Sequence, residues 1–202
     1  MRRLDSLRYF PFGGIEMVEL TSLWLPIVLS AAAVFVVSSI LHMVLTYHRS
    51  DYRKLPGEDK VLEAMRNEGV GPGNYHFPYA PSHKEMGSPE MVEKLKKGPV
   101  GLMNVMPAGP PAMGKYLALW FIFCLVISVF VAYVAGRTLK SADPYLTVFR
   151  LTGTVAFVGY GIGQIQDSIW KGQSWGATVR TLIDGLIYGL VTAGFFGWLW
   201  PR

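Results

Sequence analysis

Four apolar stretches separated by polar ones set the outline of this chain of 202 residues. A helix needs roughly 20 mostly apolar residues to cross a bilayer. Residues 22–47, "SLWLPIVLSAAAVFVVSSILHMVLTY", meet that length and place Pro26 in the first turn, where a missing N–H is tolerated. Residues 116–136 open with "YLALWFIFCLVISVFVAYVA", which has no ionisable side chain apart from Tyr and Cys. Residues 147–167 are glycine-rich, and residues 181–200 close the series with "TLIDGLIYGLVTAGFFGWLW". The pattern predicts an all-α integral membrane protein with four transmembrane helices and a long loop between the first and second. The first run is too long for a signal-peptide core, and Glu16 and Glu19 rather than basic residues precede it, so it reads as a retained span.

Charge orients these spans. Ten Lys and Arg fall between the first two, including Arg49, Arg53, Lys54, Lys94, Lys96, Lys97 and Lys115, and Lys171 and Arg180 lie between the last two. The other side holds seven: Arg2, Arg3, Arg8, Arg137, Lys140, Arg150 and Arg202. The excess predicts a cytoplasmic loop over 48–115 and both termini outside, in a plasma membrane of bacterial type. Aromatics agree: Trp24, Tyr133, Tyr145, Trp198 and Trp200 mark one interface, and Tyr47, Tyr116, Trp170 and Trp175 the other. Gly13-Gly14 can be encoded as a sequence resembling a ribosome-binding site ahead of Met17. Residues 1–16 are therefore read either as an over-called start or as a short external extension.

Composition narrows the class. Only 16% of residues are charged, against about 25% in a typical soluble domain, while 51% are hydrophobic. The net charge of +5 comes without a recognition motif, so no nucleic-acid partner is expected. The single cysteine, Cys124, lies inside an apolar run, where it serves as a small filler and forms no disulfide within the chain.

The loop holds nine of the thirteen prolines, too little periodic apolar sequence for an ordinary core. Two short helices are predicted in it. "GEDKVLEAMRNEG" has acids in its first turn and a closing glycine, Gly69. "SPEMVEKLKKG" offers Ser88 as N-cap, Pro89 at the first position, terminal lysines and Gly98. With Met91, Val92 and Leu95 beside Lys94, Lys96 and Lys97, this second helix suits either anionic headgroups or packing on the rest of the loop. Arg49, Arg53 and Lys54 extend the same basic surface. "GVGPGNYHFPYAPSH" lacks the Gly-Lys-Ser/Thr ending of a phosphate loop, and His76 and His83 lack metal-ligand spacing.

Small residues recur every fourth position in the last span: Ala177, Thr181, Gly185, Gly189, Ala193 and Gly197. Thr152, Ala156, Gly159 and Gly163 offer a face in the third. Such faces let helix backbones approach closely where lipid supplies no hydrophobic drive. A tight hairpin of spans three and four follows, with a homo-oligomer through one of these faces as the alternative.

Beside that ridge runs a polar row of Arg180, Asp184, Tyr188 and Thr192, and Gln164, Gln166, Asp167 and Lys171 lie near the same boundary. Charges inside a span face protein, a partner or water. The spacing of four predicts two ion pairs, Arg180–Asp184 and Asp167–Lys171. The functional alternative makes Asp184 and Asp167, with Gln164, an access route for protons or cations. His42 and His48 close the first span, but no facing helix supplies a second haem ligand, so His42 is read as an interfacial hydrogen-bonding group. No catalytic motif and no cofactor are expected. The preferred reading is a non-enzymatic accessory, scaffold or assembly subunit, in contact with lipid and with other subunits or itself. A small oligomeric transporter or channel is the rival, and a membrane enzyme acting on lipid or quinone comes third.

Overall fold

The structure, a computed structural model, describes residues 17–202; the expectation about residues 1–16 lies outside them. Four helices are long and apolar enough to cross a membrane. The first enters through a 3-10 turn, Leu20–Leu23, continues as α1 (Trp24–Ser39) and ends in a π turn, Ile40–Val44. A 3-10 turn at Tyr47–Asp51 follows. The second long helix is α5 (Met113–Thr138). The third comprises α6 (Tyr145–Tyr160), a 3-10 turn at Ile162–Gln164 and α7 (Ile165–Trp170), and the fourth is α8 (Trp175–Trp198).

Each long helix touches two others: α1 packs on α5 and α8, and α6 packs on α5 and α8. Chain order makes neighbours antiparallel, so the four close into a ring. Its axis is filled by Val34, Cys124, Val131, Val148, Ala156 and Phe196, all without solvent exposure. The outer face keeps Val36, Ile122, Phe130, Val158 and Leu190 exposed, an apolar surface compatible with lipid around the bundle. Two polar links cross the bundle: Ser30 and Ser128 hydroxyls lie 3.1 Å apart, and Trp120 Nε1 donates to Ser38 Oγ at 2.7 Å.

The closest pair is α6 with α8, and glycine is the reason. A Cβ on Gly185 would stand 2.8 Å from Gly161 Cα, and one on Gly189 would stand 3.0 Å from the Gly153 carbonyl oxygen. Ala193 meets Gly153, and Gly197 receives the Tyr145 ring. The partner face on α6 is therefore Gly153 and Gly161, not the series ending in Gly159 and Gly163. Gly159 turns to Ile127 of α5, and Gly163 faces open space. At 3.6 residues per turn, positions 152 and 156 still point inward while 159 has rotated toward the next helix.

Residues 52–112 form the connector. It contains α2 (Glu58–Asn67), β1 (Gly73–Phe77), α3 (His83–Met86), α4 (Pro89–Lys97) and β2 (Gly101–Val105). Ser88 caps α4 by accepting from Met91 N at 3.2 Å, with Pro89 at the first position and Gly98 at the end. The strands pair antiparallel, with Tyr75 opposite Met103. This pairing is not legible in the sequence, because five-residue strands that each carry a Gly and an Asn give almost no period-two signal. The far end of the bundle is tied by Val18 N to the Gly136 carbonyl at 3.1 Å and Trp200 Nε1 to the Lys140 carbonyl at 2.9 Å.

Candidate functional site at the connector end of the bundle

At the connector end the first span changes its winding. The Leu45 N–H bonds to the Ile40 carbonyl at 3.1 Å, five residues back, which closes the π turn. Such turns concentrate at functional positions because they re-aim side chains. His42 sits inside this one, and its Nδ1 lies 3.0 Å from the Ser38 carbonyl oxygen. The following 3-10 turn folds Tyr47, His48 and Asp51 onto the first turns of α8, whose N-terminus is capped by Ser174.

There they meet Asp184, which is only 3% exposed. The Tyr47 hydroxyl donates to Asp184 Oδ1. His48 Nε2 lies 2.8 Å from Asp184 Oδ2, and its Nδ1 lies 2.7 Å from Asp51 Oδ2. Arg180 Nε donates to Asp51 Oδ1 at 2.6 Å. His42 Nε2 stands 3.7 Å from Asp184 Oδ2, and the His42 and His48 rings stack at 4.4 Å with an interplanar angle of 11°. Partial burial opposes ionisation of Asp51, yet hydrogen bonds and charge from His48 and Arg180 outweigh it and hold the carboxyl below its ordinary range.

His48 thus has a carboxylate oxygen at each ring nitrogen. A neutral imidazole donates through one nitrogen only. The arrangement is satisfied by an imidazolium, by a protonated carboxyl, or by a cation shared with Asp184. An open cleft of about 550 Å³ adjoins the group, lined by His42, His48, Ser50, Arg53, Gln173 and Thr181 among others.

The ion pairing expected from sequence changes here. Asp167 and Lys171 do pair, at 2.7 Å. Arg180 does not pair with Asp184; it turns to Asp51, and among the described residues the ionic and hydrogen-bonding partners of Asp184 are His42 at the end of the first span and Tyr47 and His48 just beyond it. The spacing of four was matched by a stronger, tertiary partner. Asp167 and Asp184 therefore belong to separate groups. Gln164 and Gln166 are exposed. Tyr188 is buried one turn beyond Asp184, its ring 5.4 Å from that of Tyr160, and its hydroxyl has no partner among the described residues. Arg49, Arg53, Lys54, Lys94, Lys96 and Lys97 are all exposed, and Lys96 pairs with Glu93 at 3.0 Å. His76 and His83 join no cluster of metal-ligating side chains among the described residues. The grouping of Tyr47, His48 and Asp51 around Asp184 escaped sequence reasoning; its one local trace is His48 three residues before Asp51. No family model, no curated protein and no solved structure matches the chain.

Proposed function

We propose that this chain is a multi-pass subunit of a bacterial-type plasma membrane, acting as an accessory, scaffold or assembly protein through its cytoplasmic connector. The observation that carries the reading is the contrast between the two parts of the molecule. Along the bundle axis the buried hydroxyls of Thr152 and Thr192 return to their own helix, onto the Val148 and Tyr188 carbonyls at 2.7 and 2.8 Å, those of Ser30 and Ser128 face each other at 3.1 Å, and most of the other buried side chains are apolar. That interior suits a closed anchor better than a conduction path, which needs polar or charged groups at mid-depth. The connector instead turns Tyr52, Tyr79, Leu102 and Met106 outward. A two-stranded sheet with so little covered area is marginal alone in water and gains from a partner surface.

The test uses the full-length protein in native membranes with a photo-crosslinking residue at Tyr79. One reproducible adduct, to a partner subunit or to a second copy, is the expected result. Ion flux in proteoliposomes of the pure protein that Asp184→Asn abolishes without unfolding would instead establish the transporter reading.

A further inference from the structure

The cluster around Asp184 has a property that neither anchoring nor docking requires. Three metal-ligating side chains lie together: one ligand atom from each of His42, His48 and Asp184 lies within 4.8 Å of the other two, and both histidine Nε2 atoms approach Asp184 Oδ2. We propose that they bind one divalent transition ion of the zinc or ferrous class, with at least one coordination position left open to the cleft.

The outer contacts support this more than the donors themselves. In metal sites each ligating imidazole is held by its other nitrogen on a carbonyl or carboxylate, which fixes the tautomer and frees the ligating nitrogen. His42 meets that condition through Nδ1 and the Ser38 carbonyl, 3.0 Å apart. His48 meets it through Nδ1 and Asp51 Oδ2 at 2.7 Å, and Asp51 is itself fastened by Arg180. Asp184 is oriented by the Tyr47 hydroxyl on Oδ1, which leaves Oδ2 facing both Nε2 atoms. Every ligand is thus held through its other atom, which leaves the two Nε2 atoms and Asp184 Oδ2 free to ligate.

Distances fit with small adjustments. Bonds of about 2.0–2.2 Å in a tetrahedral ion put donors about 3.3 Å apart. The His42–Asp184 separation of 3.7 Å and the His48–Asp184 separation of 2.8 Å lie on either side of that value. His42 is the mobile member, with a side chain 51% exposed on the π turn, and because its ring stacks nearly parallel on that of His48 it must swing out of the stack for both Nε2 lone pairs to meet one ion. Two imidazoles and one carboxylate match zinc or non-haem ferrous iron, whereas calcium and magnesium favour oxygen alone. Three protein ligands beside an open cleft is the arrangement of sites that keep an exchangeable position.

The experiment uses full-length protein in detergent, stripped with chelator and titrated with Zn²⁺ and, as a spectroscopic probe, Co²⁺. One equivalent of Zn²⁺ should bind per chain, and Co²⁺ should give intense four- or five-coordinate visible bands that shift on adding azide. His42→Ala is the decisive variant, because His42 makes no hydrogen bond to another side chain among the described residues and its loss leaves the His48–Asp184 contact in place. It should weaken Zn²⁺ binding by at least about tenfold, while a His76→Ala/His83→Ala double variant should leave it unchanged. Zn²⁺ affinity equal in wild type and His42→Ala, weak octahedral Co²⁺ bands, or Ca²⁺ binding as tight as Zn²⁺ would each overturn the proposal and leave the cluster a structural lock.

Discussion

Ala142 holds a backbone conformation that an L side chain resists, with φ of 65° in the turn between α5 and α6. Left-handed geometry costs about 1–2 kcal/mol for such a residue, offset in part by the looser unfolded chain that glycine brings. Ala142→Gly should therefore raise stability by up to about 1 kcal/mol, read as a higher melting temperature in detergent. Tyr188 gives a second case of the same kind. Its buried hydroxyl has no partner among the described residues, so Tyr188→Phe should be neutral or stabilising by up to about 1 kcal/mol. A loss of more than that would mean the hydroxyl is bonded after all. Arg180→Ala should act in the opposite direction, costing about 1–3 kcal/mol, because it removes the charged hydrogen bonds that fix Asp51 behind His48. The partner of Arg180 could not be read from the sequence. Local spacing offers Asp184 four residues on, whereas Asp51 lies 129 residues away and is delivered only once the first span has been laid against the fourth.

Helix-scale features were far more legible, since a run of apolar residues long enough to span a membrane satisfies its backbone within itself and needs no distant partner. The choice of glycines at the α6–α8 contact was readable on α8 but not on α6. Gly185, Gly189, Ala193 and Gly197 do form the ridge, yet their opposite numbers are Gly153 and Gly161, because which side of α6 faces α8 depends on where α5 sits. Two substitutions separate these cases. Gly185→Ala places a methyl against the Gly161 backbone, which cannot move without parting the helices, and should cost about 1–3 kcal/mol. Gly163→Ala meets nothing within 4 Å and should be neutral or stabilising by about 0.5 kcal/mol. Thermal unfolding of the two variants side by side checks both. A similar cost for each would show that Gly163 is covered, for instance by a second copy of the chain. The connector strands stayed hidden for a different reason: "GNYHF" and "GLMNV" pair through their backbones, and backbone pairing leaves no mark on hydropathy.

For the molecule as a whole, charge and closure bear on the same question of which way it sits. The ring of four helices has one end tied by the Val18 N–H on the Gly136 carbonyl and the Trp200 indole N–H on the Lys140 carbonyl, and the other occupied by the connector and the Asp184 cluster. Arginine and lysine near the ends of spans resist translocation, and residues 48–115, the connector with its flanks, carry ten of the nineteen in the chain. A connector held in the cytoplasm also places the Asp184 cleft where the cell maintains its own metal pool, so orientation decides which ions the site could meet. Cysteine accessibility measures this directly. In a Cys124→Ser background, where the single buried thiol is removed, Tyr79→Cys reports on the connector and Ser141→Cys on the opposite end. An impermeant maleimide added to intact cells should modify Ser141→Cys alone, with Tyr79→Cys becoming reactive only after the membrane is opened. The reverse pattern would put the basic connector and the cluster on the outer side, against the charge rule, and would require a partner or lipid outside the cell to balance the exposed lysines. Labelling of both positions in intact cells would mean that the two ends share one aqueous phase, and the four helices would then have to pack without crossing a bilayer.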